Sequence, residues 1–304
     1  MDKPITSQTR LGFIGLGYLG SRIARRLLAA RFPMIVYNRD PEKAAELAAF
    51  GAIVAPNPEV LAEEVDIVLS CLADDSAVES VYLGPDKVLE SARPGTPIIE
   101  MSTVAPETSR RLHDAARRYD LTFLDVAISG STVAAESGLL TLFGGGEREV
   151  FDAVQPVFAP IAKQWFYMGP SGSGVAMKLV VNTLLGVGMQ TIAEAVALGL
   201  DLGLPRDTLL ETLAKTAVVA PAHAGKLASA KRDDYSPQFP IRLMRKDFQL
   251  ILTAAAKSGL VMPATEAAAV ANFAEASSGL EEDFSVVIRG MEAVRSENAL
   301  PPVA

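Results

Sequence analysis

Short apolar runs alternate with helical patterns through the first half of the chain. Leu11–Gly15, Met34–Tyr37, Asp66–Cys71 and Ile98–Met101 are each dense enough in aliphatic residues to form buried strands, and Ala52–Val54 makes a shorter one. Thr122–Ala127, Leu139–Phe143 and Gln164–Met168 continue the series. Between these runs, Leu19–Ala30, Pro41–Phe50 and Pro106–Tyr119 carry helical spacing, and Asp40 with Pro41 supplies an N-cap and a first-turn proline. Such β-α alternation implies a mainly parallel sheet with helices on both faces. After the Gly/Ser-rich stretch Gly169–Gly174 the strand signals stop. Val175–Leu200 predicts one helix about 40 Å long at the usual rise per residue. Asp207–Thr216, Ile241–Ser258, Pro263–Glu275 and Phe284–Val294 predict further helices, and Glu297–Ala304 a loose tail. The expected organisation is an α/β domain over residues 1–172 and an all-α domain over 173–304.

Composition narrows the class. The chain has 304 residues, 49% hydrophobic and 21% charged, as expected of a two-domain globular protein. Its net charge of −8, without a basic run, argues against nucleic acid or an anionic membrane as the partner. The single cysteine, Cys71, excludes an internal disulfide, lies in an apolar strand as a small hydrophobe, and fits a cytoplasmic protein. The polar N-terminus lacks the apolar core of a signal peptide. Lys, Glu, Asp or Gly interrupts the longest apolar stretches, so no membrane span is expected.

The first chemistry-bearing motif is Gly15-Leu16-Gly17-Tyr18-Leu19-Gly20, a G-x-G-x-x-G placed after a strand and opening a helix. The first glycine permits the turn, the second admits a pyrophosphate to the backbone, and the third lets helix and strand pack closely. This context predicts a doubly wound Rossmann domain. The second strand ends in Asn38-Arg39-Asp40. NAD enzymes place an acid where Asn38 stands, whereas a guanidinium such as Arg39 can grip a 2′-phosphate, so NADP(H) is expected over NAD(H).

Neither histidine, His113 on a charged helix face or His223 in a Pro/Ala/Gly stretch, has an acid arrangement that suggests a base, and a zinc site lacks ligands. Lys178 stands in an apolar run, with Asn182 one helical turn on. Two readings fit it: a desolvated lysine that exchanges a proton near neutral pH, or a lysine whose ammonium reaches solvent past a helix end.

Four separated segments resemble the β-hydroxyacid dehydrogenase family, which includes 3-hydroxyisobutyrate dehydrogenases and glyoxylate/succinic semialdehyde reductases. They are Gly15–Gly20; Asp125-Val126-Ala127-Ile128-Ser129-Gly130-Ser131 with Gly138 and Gly144-Gly145-Gly146; the glycine-rich turn leading to Lys178 and Asn182; and Arg245-Lys246-Asp247-Phe248. The resemblance implies that Lys178 is the catalytic proton donor. It implies that Ser129, Gly130, Ser131, Asn182, Phe239 and Asp247 bind a small carboxylate-bearing substrate. It also implies that Gly15, Gly17, Leu19, Gly20, Asn38, Arg39, Leu72, Ala73, Thr103 and Lys246 hold the cofactor. A homodimer or homotetramer is expected. Ala127, Ser131 and Val181 depart from the family pattern, which leaves the substrate open. An imine reductase and a non-catalytic NADP-binding scaffold are the alternative readings.

Overall fold

The computed structural model describes residues 4–275 and 280–298. They divide into two compact units, Met1–Leu179 and Val180–Ala304.

In the first unit the elements run β1 (Leu11–Ile14), α1 (Gly20–Ala29), β2 (Met34–Tyr37), α2 (Pro41–Ala48), β3 (Ile53–Val54), α3 (Pro58–Glu64), β4 (Ile67–Ser70), α4 (Asp75–Leu83), α5 (Val88–Ser91) and β5 (Pro97–Glu100). They continue with α6 (Pro106–Ala116), β6 (Thr122–Ser129), α7 (Thr132–Ser137), β7 (Leu140–Gly145), α8 (Arg148–Ala153), α9 (Gln155–Phe158) and β8 (Ala162–Gly169). The strands form one sheet in the order β3-β2-β1-β4-β5-β6-β7-β8. All pairings are parallel except β6 with β7. The order reverses at β1, so a crevice is expected outside the carboxyl ends of β1 and β4.

Burial on both faces explains the continuous apolar strands. Leu11, Phe13, Val36, Leu69, Ile99 and Val126 fill one face, and Ile35, Val68, Ile98, Phe123 and Ala127 fill the other. The helices start where side chains can satisfy their free N–H groups. Asp40, Asn57 and Asp74 accept from Glu42, Val60 and Ala77 respectively, and proline opens α2, α3 and α6. The short crossover helices α3, α4 and α5, together with α7, α8 and α9, are additions to the sequence-based expectation. All but α4 span at most seven residues, too short for a helical period to stand out.

The helix α10 (Ser173–Asp201) starts in the first unit and continues into the second. By length and composition it is long and apolar enough to cross a membrane. Its later turns are packed at glycines: a Cβ at Gly186 would stand 2.5 Å from the Phe248 ring, and one at Gly188 would stand 2.8 Å from the His223 ring. His223 is buried and bonds through Nε2 to the Leu185 carbonyl at 2.9 Å.

The second unit continues with α11 (Arg206–Leu213), α12 (Pro221–Ala230), α13 (Ile241–Lys257), α14 (Pro263–Glu275) and α15 (Val287–Asn298), the last preceded by a 3-10 turn at Phe284–Val286. Glu297 and Asn298 end α15; the rest of the expected tail lies outside the described residues. α13 buries Ile241, Met244, Phe248, Ile251 and Ala255, the spacing of one helical face.

A buried ion pair fixes the approach to α13. Asp283 Oδ2 accepts from Lys226 Nζ at 2.6 Å and from the peptides of Gln238 and Phe239 at 3.1 and 3.0 Å. Its other oxygen accepts from Ser285 N and Oγ. The two charged side chains are 10% and 3% exposed. Removing one partner strands the other charge in the interior. Lys226→Met should therefore destabilise the protein by about 3–5 kcal/mol, read from urea unfolding at neutral pH. A loss below about 1 kcal/mol would mean that water already screens Asp283.

Candidate active site

The turn after β1 shows what its three glycines do. Gly15 has φ +94°, and a Cβ there would strike the Cys71 carbonyl and the Leu72 side chain. Gly20 is packed against the Gly15 carbonyl, which leaves no room for a side chain. A Cβ at Gly17, by contrast, would meet nothing within 4 Å. One peptide of the turn therefore stands open at the head of α1, whose N-terminus favours anions. Leu19 is the N-cap residue of α1, with no side-chain cap. These residues fit a dinucleotide pyrophosphate.

At the end of β2, Asn38 is engaged with the backbone. Its Oδ1 accepts from Leu16 N at 2.9 Å and its Nδ2 donates to the Asp40 carbonyl at 3.0 Å. Asn38 thus ties the glycine turn to the end of β2. Arg39 is exposed and makes no ion pair or hydrogen bond with the described residues, while Asp40 caps α2.

Leu72 and Ala73 follow β4, and Thr103 follows β5. The loop carrying Thr103 is clamped on both sides. Before it, Ser102 Oγ accepts from Leu72 N at 2.7 Å. After it, Asp75 Oδ1 accepts from Ala105 N at 2.9 Å and from Thr108 Oγ1 at 2.6 Å. Ser102 in turn donates both its N–H, at 2.9 Å, and its hydroxyl to Glu100 Oε1.

Glu100 is fully buried and has no ion-pair partner among the described residues. Burial pushes its carboxyl up to about 7, the Ser102 bonds oppose that shift, and nearby Asp125 adds to it. Asp125 is also fully buried, and burial raises its carboxyl above the usual range. It accepts from Gly172 N at 2.7 Å and Val175 N at 3.0 Å, holding the start of α10. A side chain at Gly145 or Gly174 would collide with Asp125, so both glycines serve its close approach.

The expected substrate loop ends β6. Ser129 is half-buried, and Gly130 is exposed at φ +146°. Ser131 is the N-cap of α7, its Oγ accepting from Ala134 N at 3.3 Å. Lys178 is half-buried on the second turn of α10. In the second unit, Asn182 and Asp247 come together: Asn182 Nδ2 donates to Asp247 Oδ2 at 2.5 Å, both residues being buried. Lys246 Nζ lies 3.0 Å from Asp247 Oδ1. Phe239 is half-buried and meets Phe284 edge to face at 5.6 Å.

Sequence reasoning singled out none of Ser70, Asp75, Glu100 and Lys226 for the site or its supports, and it treated Asp125 only as part of a motif. The available signal was a polar residue ending an otherwise apolar strand: Ser70 after Ile67-Val68-Leu69 and Glu100 after Ile98-Ile99.

Comparison with known proteins agrees with this geometry. Residues 10–169 match the NAD binding domain of 6-phosphogluconate dehydrogenase, and residues 172–291 match the NAD-binding region of NADP-dependent 3-hydroxyisobutyrate dehydrogenase. The chain is 34% identical over 286 residues to glyoxylate/succinic semialdehyde reductase 1 of Arabidopsis thaliana, covering 94% of this chain and 99% of that protein. It is also 34% identical to the NAD-dependent L-serine dehydrogenase of Pseudomonas aeruginosa, covering 91% and 96% respectively. Among solved structures, 3-hydroxyisobutyrate dehydrogenase of Mycobacterium tuberculosis with L-serine superposes with a TM-score of 0.85 at 28% identity, covering 93% of this chain and 99% of that one. An open glycine turn at the head of α1 and two family matches spanning both units lead to one conclusion: the chain belongs to the 3-hydroxyisobutyrate dehydrogenase-like β-hydroxyacid dehydrogenases and is an NAD(P)-dependent oxidoreductase.

Proposed function

We propose that the protein interconverts a small aldehyde or keto acid and its β- or γ-hydroxy acid with NADP(H), using Lys178 as the general acid and base. The observation that carries this reading is the placement of Lys178. It is a half-buried lysine on α10, whose first turn is bonded to Asp125, and Asp125 lies on the strand that ends in Ser129. Anchoring the helix at its start limits the positions its second turn can take, which is what general-acid catalysis requires of its donor.

The glycine turn would hold the pyrophosphate, and Arg39 the 2′-phosphate. Leu72, Ala73 and Thr103 would line the nicotinamide end, with Lys246 as a further cofactor contact. When bound, the nicotinamide supplies or accepts the hydride at the substrate carbon. Ser129 and Gly130 would hold the substrate carboxylate through hydroxyl and peptide N–H, with Ser131 closing the turn. Lys178 would give its proton to the carbonyl oxygen in reduction and take it back in oxidation. Asn182, Asp247 and Phe239 are the other proposed substrate residues. Their joint role is supported by the Asn182–Asp247 hydrogen bond, which fixes the amide in one orientation.

Cofactor preference follows from the end of β2. The named relatives include an NAD-dependent enzyme, so kinship does not choose between the dinucleotides. Arg39 favours the phosphorylated one, because it is exposed and has no competing carboxylate partner among the described residues.

The reaction is tested by following NADPH and NADH oxidation with succinic semialdehyde, glyoxylate, tartronate semialdehyde, methylmalonate semialdehyde and a cyclic imine. Turnover of an aldehyde acid is the expected result; turnover of the imine alone would reassign the protein to C=N reduction. Lys178→Ala should lower kcat by about 10²–10⁴-fold, and a near-normal rate would refute the role. Arg39→Ser should weaken NADPH binding by about tenfold or more through loss of charge-assisted hydrogen bonds, with NADH little changed. Equal losses for the two cofactors would remove Arg39 from the 2′-phosphate site.

A further inference from the structure

One row of the sheet is polar where its neighbours are apolar. Ser70, Glu100 and Asp125 are register partners on β4, β5 and β6, so their side chains share one face. All three are fully buried. Tyr82 of α4 closes the row, its hydroxyl 2.6 Å from Ser70 Oγ, and Ser70 Oγ stands 3.4 Å from Glu100 Oε1. The titratable groups facing Glu100 are Asp125 from β6 and Tyr82 from α4, whose phenol is raised far above its ordinary range by burial.

The two carboxyls have different supports. Asp125 receives peptide N–H groups at the head of α10, where the helix dipole also favours a negative charge. Glu100 has three bonds crowded on Oε1, while its buried Oε2 has no partner. Adjacent buried acids resist double ionisation, and the better-supported one keeps the charge. Of the two, Glu100 is the one whose surroundings offer the weaker support for a charge.

Ser102 transmits this state. Its hydroxyl donates to Glu100 and accepts from Leu72 N, and its peptide also donates to Glu100. One carboxyl thus joins the end of β4 at Leu72 to the end of β5 at Thr103. We propose that Glu100 is a positioning residue for the nicotinamide end of the cofactor, holding Leu72 and Thr103 through Ser102 and doing so in its neutral form. The proposal rests on the reading that Leu72 and Thr103 line that end. Deprotonation would add a second buried charge beside Asp125 and near an anionic dinucleotide, so cofactor affinity should fall as pH rises through the Glu100 transition.

The test is NADPH binding to the full chain, followed by nicotinamide fluorescence from about pH 6 to 9, for wild type, Glu100→Gln and Ser102→Ala. The wild-type Kd should rise by about three- to tenfold across neutrality, one pH unit of linkage corresponding to a factor of ten at most. Glu100→Gln, which stays neutral, should lack that step, and Ser102→Ala, which loses the tie between Leu72 and Glu100, should bind more weakly throughout. A step retained in Glu100→Gln, or absent from wild type, overturns the proposal. Two further readings cover a variant that folds poorly. The infrared band of a protonated carboxyl should be present in wild-type protein at about pH 6 and fade near pH 7, the range set by its burial. Wild-type stability against urea should fall between about pH 5 and pH 7 and then level off, because a carboxyl raised in the folded state favours folding below its unfolded pKa and loses that contribution on rising through its folded one. Absence of the infrared band overturns the proposal by itself. No substrate is involved in any of these readings, so a wrong choice of substrate leaves the outcome intact, while a binding step without turnover of any aldehyde acid would count only against the proposed reaction.

Discussion

A carboxylate removed from water must find its hydrogen bonds inside the protein, and Asp125 finds them at the head of α10. Much of the local architecture follows from that constraint. The strand carrying Asp125 must run beside the helix start, with glycine at Gly145 and Gly174 so that backbone and carboxylate can approach. The Gly/Ser-rich connection into α10 is set by contact with Asp125 as much as by turn geometry. The same helix presents Lys178 on its next turn. The strand goes on to Ser129, so a single buried carboxyl links the helix bearing the proposed proton donor to the strand bearing the proposed carboxylate site.

The chain handles its buried acids in two ways. Asp283 has a lysine partner and four further hydrogen bonds, and its charge is neutralised where it stands. It pins the segment before α13, and with it Phe239. Glu100 has hydroxyls and one peptide but no cation. Burial pushes the Glu100 carboxyl up to about 7, with no lysine opposite it to favour the charged form.

The parts of the fold most legible in sequence are those that depend on local periodicity or backbone conformation. Strand β2 and helix α14 fall where the pattern puts them, and the three glycines of the first turn have the three environments their spacing implies. Contacts that join distant positions are not legible in this way. Asn38 holds the Leu16 peptide, a bond across 22 residues that no local pattern encodes. The Ser70–Glu100–Asp125 row exists only through strand register, since each residue alone is a polar side chain in an apolar run. α12 is not anticipated in its Pro/Ala/Gly-rich stretch; the burial of His223 and Lys226 there is decided by their partners.

Asn38 and Arg39 show why adjacent residues in a binding turn should be read separately. The amide of Asn38 is short, and both of its ends are satisfied by backbone within reach, so it serves the shape of the turn. Arg39 is long and its head is exposed, and the nearby acid, Asp40, is occupied with the first turn of α2 and with Lys43. A guanidinium left in solvent beside a helix-capping aspartate contributes little to folding. Its donors are what the proposed contact with a 2′-phosphate draws on. On that reading Asn38 shapes the loop and Arg39 would select the ligand.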